Sequence, residues 1–232
     1  MTFSKKIVII GTGLGGSVLA HALKDVKNIE LNIVEFDKSQ ARLMSVSGVP
    51  YSQDAKTASF GLGGTTKLWH NGLIEIEESI FKEKWPYNKN VLDPYYLLAW
   101  RMFVGKKYDA IIESSLKLKC HLVDCGIREG FLNSFLYYPY KRLNAWKNFG
   151  SLSGANLING CVDKLIHEVN DSDCKIVAVK VVRNGVESLL SGDIFILACG
   201  GLATPKLLRH MSSEIPLLNL KNAGRFYEDH PT

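Results

Sequence analysis

Segment 6–35, KIVIIGTGLGGSVLAHALKDVKNIELNIVE, constrains the fold more than any other part of the sequence. Ile7, Val8, Ile9 and Ile10 form a β-branched run suited to a strand covered on both faces, and Gly11, Gly13 and Gly16 follow it at G-x-G-x-x-G spacing. In a turn of this kind Gly11 reverses the chain, Gly13 leaves room for a pyrophosphate, and Gly16 lets the next helix lie close to the strand. The pattern predicts a helix from about residue 16 to about 26, with its N-terminal amides and dipole directed at phosphates. A second strand over 31–34 then delivers Glu35, which stands 19 residues past Gly16. A carboxylate there accepts hydrogen bonds from the adenosine ribose hydroxyls and disfavours a 2′-phosphate. Strand, turn, helix, strand and acid in register predict an ADP-containing cofactor. This unit alone leaves NAD and FAD both open.

A second glycine cluster lies at 60–76, FGLGGTTKLWHNGLIEI, after a polar stretch broken by Pro50 that reads as an extended loop crossing the cofactor region. Gly61, Gly63 and Gly64 offer bare backbone amides, and Thr65 and Thr66 add hydroxyls, which suits the pyrophosphate or ribityl part of a flavin. Trp69, His70 and Asn71 put an aromatic face and polar groups just beyond. A glycine hairpin with a packed tryptophan accounts for the same residues equally well.

Between residues 85 and 150 the composition turns aromatic. WPYNKNVLDPYYLLAWRMFVG predicts a helix opening at Asp93-Pro94 and running to about Val104, with Tyr96, Leu97, Trp100 and Val104 as a core-facing stripe. Tyr137 and Lys141 have the spacing of a short-chain dehydrogenase pair, but Pro139 breaks the helix such a pair needs. From residue 156 a β pattern returns: NLINGCVDKLIHEV, KIVAVKVVR and SLLSGDIFILACGG make three or four strands, with Asn184-Gly185 as a hairpin turn. The run 194–199 reads as a buried parallel strand reaching the cofactor edge, followed by a helix starting at Thr204-Pro205.

The remaining bulk properties narrow the class. The 232 residues are 46% hydrophobic and 22% charged, ordinary for a soluble globular protein. No apolar run approaches the roughly 18 residues of a membrane span, and the N-terminus enters its first strand too soon for a signal peptide, so a cytoplasmic location is expected. The net charge of +5 is spread along the chain, which argues for a solvated surface and against a nucleic-acid partner. Five scattered cysteines fit a reducing compartment. Cys120-His121 with Cys125 lack a second ligand pair, so no metal is expected.

Taken together, GTGLGG with Glu35, GLGGTTKLWHNG, the WPY and PYY segment, ILACGGLATPKLL and the terminal NAGRFYEDHP resemble the glucose-methanol-choline (GMC) oxidoreductase family. ILACGGLATPKLL is similar to that family's second signature but ends in Arg209-His210-Met211 in place of the usual Ser-Gly. The resemblance implies an α/β fold: a Rossmann-like FAD-binding domain of parallel sheet plus β-meander, with part of a second, substrate-binding region. Its segments would be 1–76 and 151–232 for the FAD domain and 77–150 for the insertion.

By the same resemblance, Gly11, Gly13, Leu14 and Gly16 would hold the ADP, with Glu35 on the ribose. Gly64, Thr65, Thr66, Trp69, His70, Asn71 and Gly72 would follow the ribityl chain and isoalloxazine, Val162 would meet the adenine through its backbone, and Ala198, Cys199 and Gly200 would line the far side. FAD is expected to be non-covalent, because Leu68 precedes Trp69 where some relatives carry the attached histidine. The implied reaction is oxidation of an alcohol by hydride transfer to the flavin, with an electron acceptor that the residues do not name. The family's catalytic histidine belongs to a C-terminal half with no counterpart here, so a partner chain over the open flavin face is expected. A flavin-binding remnant without turnover and, further off, an NAD-dependent dehydrogenase are the alternatives.

Overall fold

The computed structural model describes residues 5–36, 59–69, 72–74, 76, 78–104, 135–137, 144–149, 154–170, 173–214, 220 and 222–225. The chain divides into two compact units, one of Met1–Leu68 with Leu143–Thr232 and one of Trp69–Arg142. The loop at 45–58, Cys120, His121, Cys125, His70, Asn71, Lys141 and His230 lie outside the described residues.

The first unit is built on a four-stranded parallel sheet. Strands β1 (Lys5–Ile10) and β2 (Ile29–Glu35) are joined by helix α1 (Leu14–Leu23), and the sheet gains β5 (Ala155–Asn159) and β9 (Ile194–Leu197) from the later part of the chain. Their order is β5-β2-β1-β9, with Ile7 opposite Leu31 on one side of β1 and opposite Ile194 on the other. Ile7 to Ile10 are all buried, as a β-branched run in a central parallel strand requires.

Alternation then sorts the side chains onto two faces. Ile7, Ile9, Leu31 and Ile33 pack with Ala20 of α1 and with Trp146 of the short helix α4 (Ala145–Phe149). Val8, Ile10 and Val34 pack against Val162, Leu165, Val179 and Val181 of a three-stranded antiparallel sheet, and against Leu207 and Met211 of helix α5 (Gly200–Glu214). That sheet is β6 (Cys161–Asn170), β7 (Asp173–Arg183) and β8 (Val186–Ser191). The parallel sheet is thus the middle of three layers. Each side chain of this size that is fully covered contributes roughly 1.5 to 3 kcal/mol.

Several expected features are observed. Asn184 (φ 51°) and Gly185 (φ 79°) both sit in the left-handed region that a two-residue hairpin of β7 and β8 demands. The run NLINGCVDKLIHEV is divided at Gly160: its first part pairs in parallel with β2, and only its second part joins the antiparallel sheet. Two helices begin earlier than their sequence signals. Helix α1 starts at Leu14 and ends at Leu23. Helix α5 starts at Gly200 and carries Pro205 inside it, just past the first turn, where the missing amide leaves the Gly201 carbonyl without its helical donor.

In the second unit, β3 (Gly72–Ile74) pairs antiparallel with β4 (Phe135–Tyr137), alongside α2 (Glu78–Lys84) and α3 (Asp93–Val104). Phe81 is buried beneath the rings of Trp85 and Tyr87, and Trp69 meets Phe103 edge to face at 5.8 Å. The stripe expected to be core is only partly so: Leu97 is exposed, whereas Tyr96 is half-buried and its hydroxyl accepts the Ile76 amide at 3.2 Å. Tyr137 lies on a strand, in keeping with the dismissal of the Tyr137 and Lys141 pair. No helix among the described residues is long and apolar enough to cross a membrane.

The closest approach in the fold makes a stability prediction. A methyl group added at Gly16 would stand 1.9 Å from the Gly11 carbonyl oxygen, whereas one added at Gly15 meets nothing within 4 Å. Gly16→Ala should cost about 2 kcal/mol or more, and Gly15→Ala should be neutral or stabilise by about 0.5 to 1 kcal/mol. Urea denaturation of the two variants checks this, and equal midpoints would contradict the packing of α1 on β1.

Candidate functional site

The four strands of the parallel sheet end at one level. The Gly11 amide donates to the Val34 carbonyl at 2.8 Å, the Ala198 amide to the Ile10 carbonyl at 2.8 Å, and the Gly160 amide to the Glu35 carbonyl at 2.9 Å. From β1 the chain order runs one way to β2 and the other way to β9, so a topological switch point opens at this edge, the place where open α/β sheets bind ligands. A cavity of about 340 Å³ occupies it, within the usual range of small-molecule sites.

Helix α1 begins at the cavity. Gly13 takes the capping position without a side-chain cap and no acid occupies the first turn, so the helix start is left to an external acceptor. Gly13 also faces the second glycine loop, where a Cβ on Gly64 would come within 3.1 Å of the Gly13 Cα. The two loops leave a cradle that side chains would fill.

Glu35 is 7% exposed and Thr12 is fully buried beside it. The Thr12 amide donates to Glu35 Oε2 at 2.7 Å, and the Thr12 hydroxyl donates to the same oxygen. Glu35 Oε1 accepts the Phe36 amide at 2.9 Å. The Thr12 hydroxyl in turn accepts the Gly63 amide at 3.1 Å, which ties the second glycine loop to the first.

That second loop is held from within. A 3-10 turn at Gly64–Lys67 follows Gly63, whose φ of 89° excludes most side chains and whose Cβ would strike Asn144 Oδ1 at 2.4 Å. Thr66 donates its hydroxyl to the Gly63 carbonyl and accepts the Ala145 amide at 3.0 Å. The Thr66 hydroxyl proton therefore serves the turn, and Thr65 is the more exposed of the two.

The remaining wall is apolar or neutral. Phe36 and Phe60 meet edge to face at 5.3 Å, and Val34, Val162, Ala203 and Leu207 complete it. Cys161 and Cys199 also face the cavity. Burial pushes both thiols above their ordinary range; for Cys161 nearby Asp163 adds to the effect, while for Cys199 the Thr204 hydroxyl at 3.2 Å opposes it. Both stay protonated at neutral pH and act as wall, not as nucleophiles. No cluster of metal-ligating side chains occurs among the described residues.

The structure brings most of the anticipated residues to this one cavity: Gly11, Gly13, Leu14, Glu35, Gly64, Thr65, Thr66, Val162, Ala198, Cys199 and Gly200. Gly16 supports the turn from behind. Trp69 and Gly72 belong to the second unit. Sequence reasoning missed Thr12, Phe36, Phe60, Cys161 and Leu207. Thr12 is a variable position inside the fingerprint, and the signal available for it was only its adjacency to Gly11 and Gly13.

The sequence matches no protein-family model and no curated protein. The structure is similar to pyridoxine 4-oxidase from Mesorbium loti, at 18% identity and a TM-score of 0.56, over 88% of this chain and 51% of that one. It is also similar to formate oxidase of Aspergillus oryzae RIB40, whose FAD modification has been studied, at 18% identity and a TM-score of 0.53, over 90% of this chain and 48% of that one. The chain spans about half the length of these enzymes, and what it shares with them is the fold.

Proposed function

We propose that the chain binds FAD without a covalent link and forms the cofactor-holding part of a flavin-dependent oxidoreductase that acts on an alcohol group. The observation that carries this reading is the convergence of the Gly11 turn, Glu35 and the Gly64–Lys67 loop on one cavity at the carboxyl edge of the parallel sheet. The fit is chemical as well as spatial: an uncapped helix start suits a pyrophosphate, and a buried carboxylate with an open acceptor position on Oε1 suits a ribose hydroxyl. When bound, the flavin supplies a two-electron acceptor for hydride from an alcohol carbon. The residues of this chain have other tasks. The amides at the start of α1 receive the phosphates, Glu35 orients the ribose, and Ala198 with the neutral Cys199 closes the far wall. The likeness in fold to two enzymes named as oxidases supports the redox assignment, and the order of the GTGLGG, GLGGTTKLWHNG and ILACGGLATPKLL blocks supports the alcohol.

A second reading, flavin binding without turnover, is favoured by the composition of the cavity wall. Its titratable members among the described residues are Glu35 and two protonated thiols, and His21 engages the Phe149 carbonyl at 3.1 Å instead. Anaerobic addition of alcohols to the flavin-loaded native gene product separates the two: bleaching of the visible band supports the oxidoreductase, and persistent colour supports the binding module.

The purified protein should show flavin absorption that acid precipitation releases into the supernatant. A colourless protein that takes up no added FAD would overturn the nucleotide reading. At Gly13 the backbone is ordinary (φ −61°), and an added Cβ meets only the Ala198 carbonyl oxygen at 3.9 Å, so Gly13→Val should fold normally yet lose FAD. Unchanged flavin content with an unchanged melting temperature would remove the pyrophosphate from this turn.

Glu35→Ala should weaken FAD by about 10- to 100-fold, the worth of charge-assisted hydrogen bonds to the ribose. It should also lower the melting temperature, because the Thr12 and Phe36 amides lose their acceptor. Calorimetric titration and thermal unfolding read the two effects separately.

A further inference from the structure

We propose that Thr12 is a positioning residue that aims Glu35 at a single ribose hydroxyl of the bound nucleotide, an inference that rests on the nucleotide reading of this site. A carboxylate oxygen has two lone-pair positions, and a carboxylate free to rotate grips a vicinal diol with both oxygens. Glu35 has no such freedom. Its Oε2 receives both the amide, at 2.7 Å, and the hydroxyl of Thr12, which fills that oxygen from the protein side. Oε1 receives the Phe36 amide at 2.9 Å and keeps one position open. The side chain therefore presents one acceptor to the cavity that it lines, and recognition of the ribose is monodentate.

The hydroxyl of Thr12 does a second thing. By accepting the Gly63 amide at 3.1 Å it sets the second glycine loop against the same carboxylate that reads the ribose. Ser17 holds the Thr12 carbonyl at 2.7 Å, so the backbone of Thr12 is itself fixed by the first turn of α1. Thr12, Ser17 and Glu35 are all buried, so loss of one of these contacts leaves a buried polar group without its partner. A threonine at this variable position of the glycine fingerprint thus couples the orientation of the acid to the placement of residues 63–66.

Two experiments test the proposal on the full chain. In wild-type protein, titration with ADP, 2′-deoxy-ADP and 3′-deoxy-ADP should show one deoxy analogue about 10-fold weaker than ADP and the other within about twofold of it, the difference made by one charge-assisted hydrogen bond. Equal losses for both analogues would overturn monodentate recognition. In the second experiment FAD affinity is measured for Thr12→Val, Thr12→Ser, Glu35→Ala and the Thr12→Val/Glu35→Ala double variant. Thr12→Val should bind about 10-fold more weakly and Thr12→Ser within about twofold of wild type, because serine restores the hydroxyl. In the Glu35→Ala background, Thr12→Val should cost clearly less than in the wild type, since residues acting through one another are not additive, and the remainder is the lost Gly63 contact. Full additivity, or a serine variant as weak as the valine one, would sink the positioning role. Failure of the wild type to bind either ADP or FAD would instead overturn the nucleotide reading and this role with it. If Thr12→Val does not fold, the serine variant and the deoxy series still decide the matter.

Discussion

The constraint on which everything else in the first unit depends is that β1, at Ile7 to Ile10, has no polar side and must be covered from both directions. A parallel strand with apolar residues on both faces is stable only in the middle of a layered domain. One cover comes from α1, which the chain supplies at once. The other comes from β6, β7 and α5, which lie more than a hundred residues further on and reach the sheet only because β5 and β9 deliver them to its two ends. The early and late parts of the chain are therefore one cooperative structure, with a second unit of its own core inserted between them.

The same arrangement creates the cavity. When β9 pairs with the outer side of β1 and β2 with the inner, the loops after these strands diverge and leave space at the carboxyl edge. Space remains on the side of the glycine loops because Gly13 caps the helix without a side chain, Thr66 is turned into its own loop, and Glu35 is drawn against Thr12. Polar groups that would be costly to bury unpaired are satisfied by one another, and what remains open is one acceptor position and the helix start. The wall opposite consists of aromatic and aliphatic groups with two neutral thiols. Among the described residues this lining carries little acid or base of its own.

Much of this was legible in the residues. The β1-α1-β2 unit, the Asn184-Gly185 hairpin and helix Asp93–Val104 rest on local rules: steric permission at glycine, positive φ at a two-residue turn, and an unbroken apolar run. The late strand β9 was legible as a parallel strand but not in its burial: it is an edge strand, and Ile194 is exposed. Less legible were the helix starts at Leu14 and Gly200, because no side-chain cap marks the start of α1 and α5 begins on Gly200-Gly201, ahead of its Thr-Pro signal. The exposure of Leu97 and the division of the β pattern at Gly160 have another origin, since periodicity shows that a face is apolar without showing what, if anything, covers it.

By itself the sequence determined the chemistry available at the fingerprint: where the backbone is bare, where the acid stands, and which strands are too apolar to face water. These follow from the covalent nature of single residues and their spacing. Only the tertiary structure decided how the pieces meet. That Thr12 takes both its donors to Glu35, that Gly63 reaches the same hydroxyl across 51 positions of chain, and that Cys161 and Cys199 share one wall depend on strand order and register. Those are set by long-range pairing energy, which no local pattern carries.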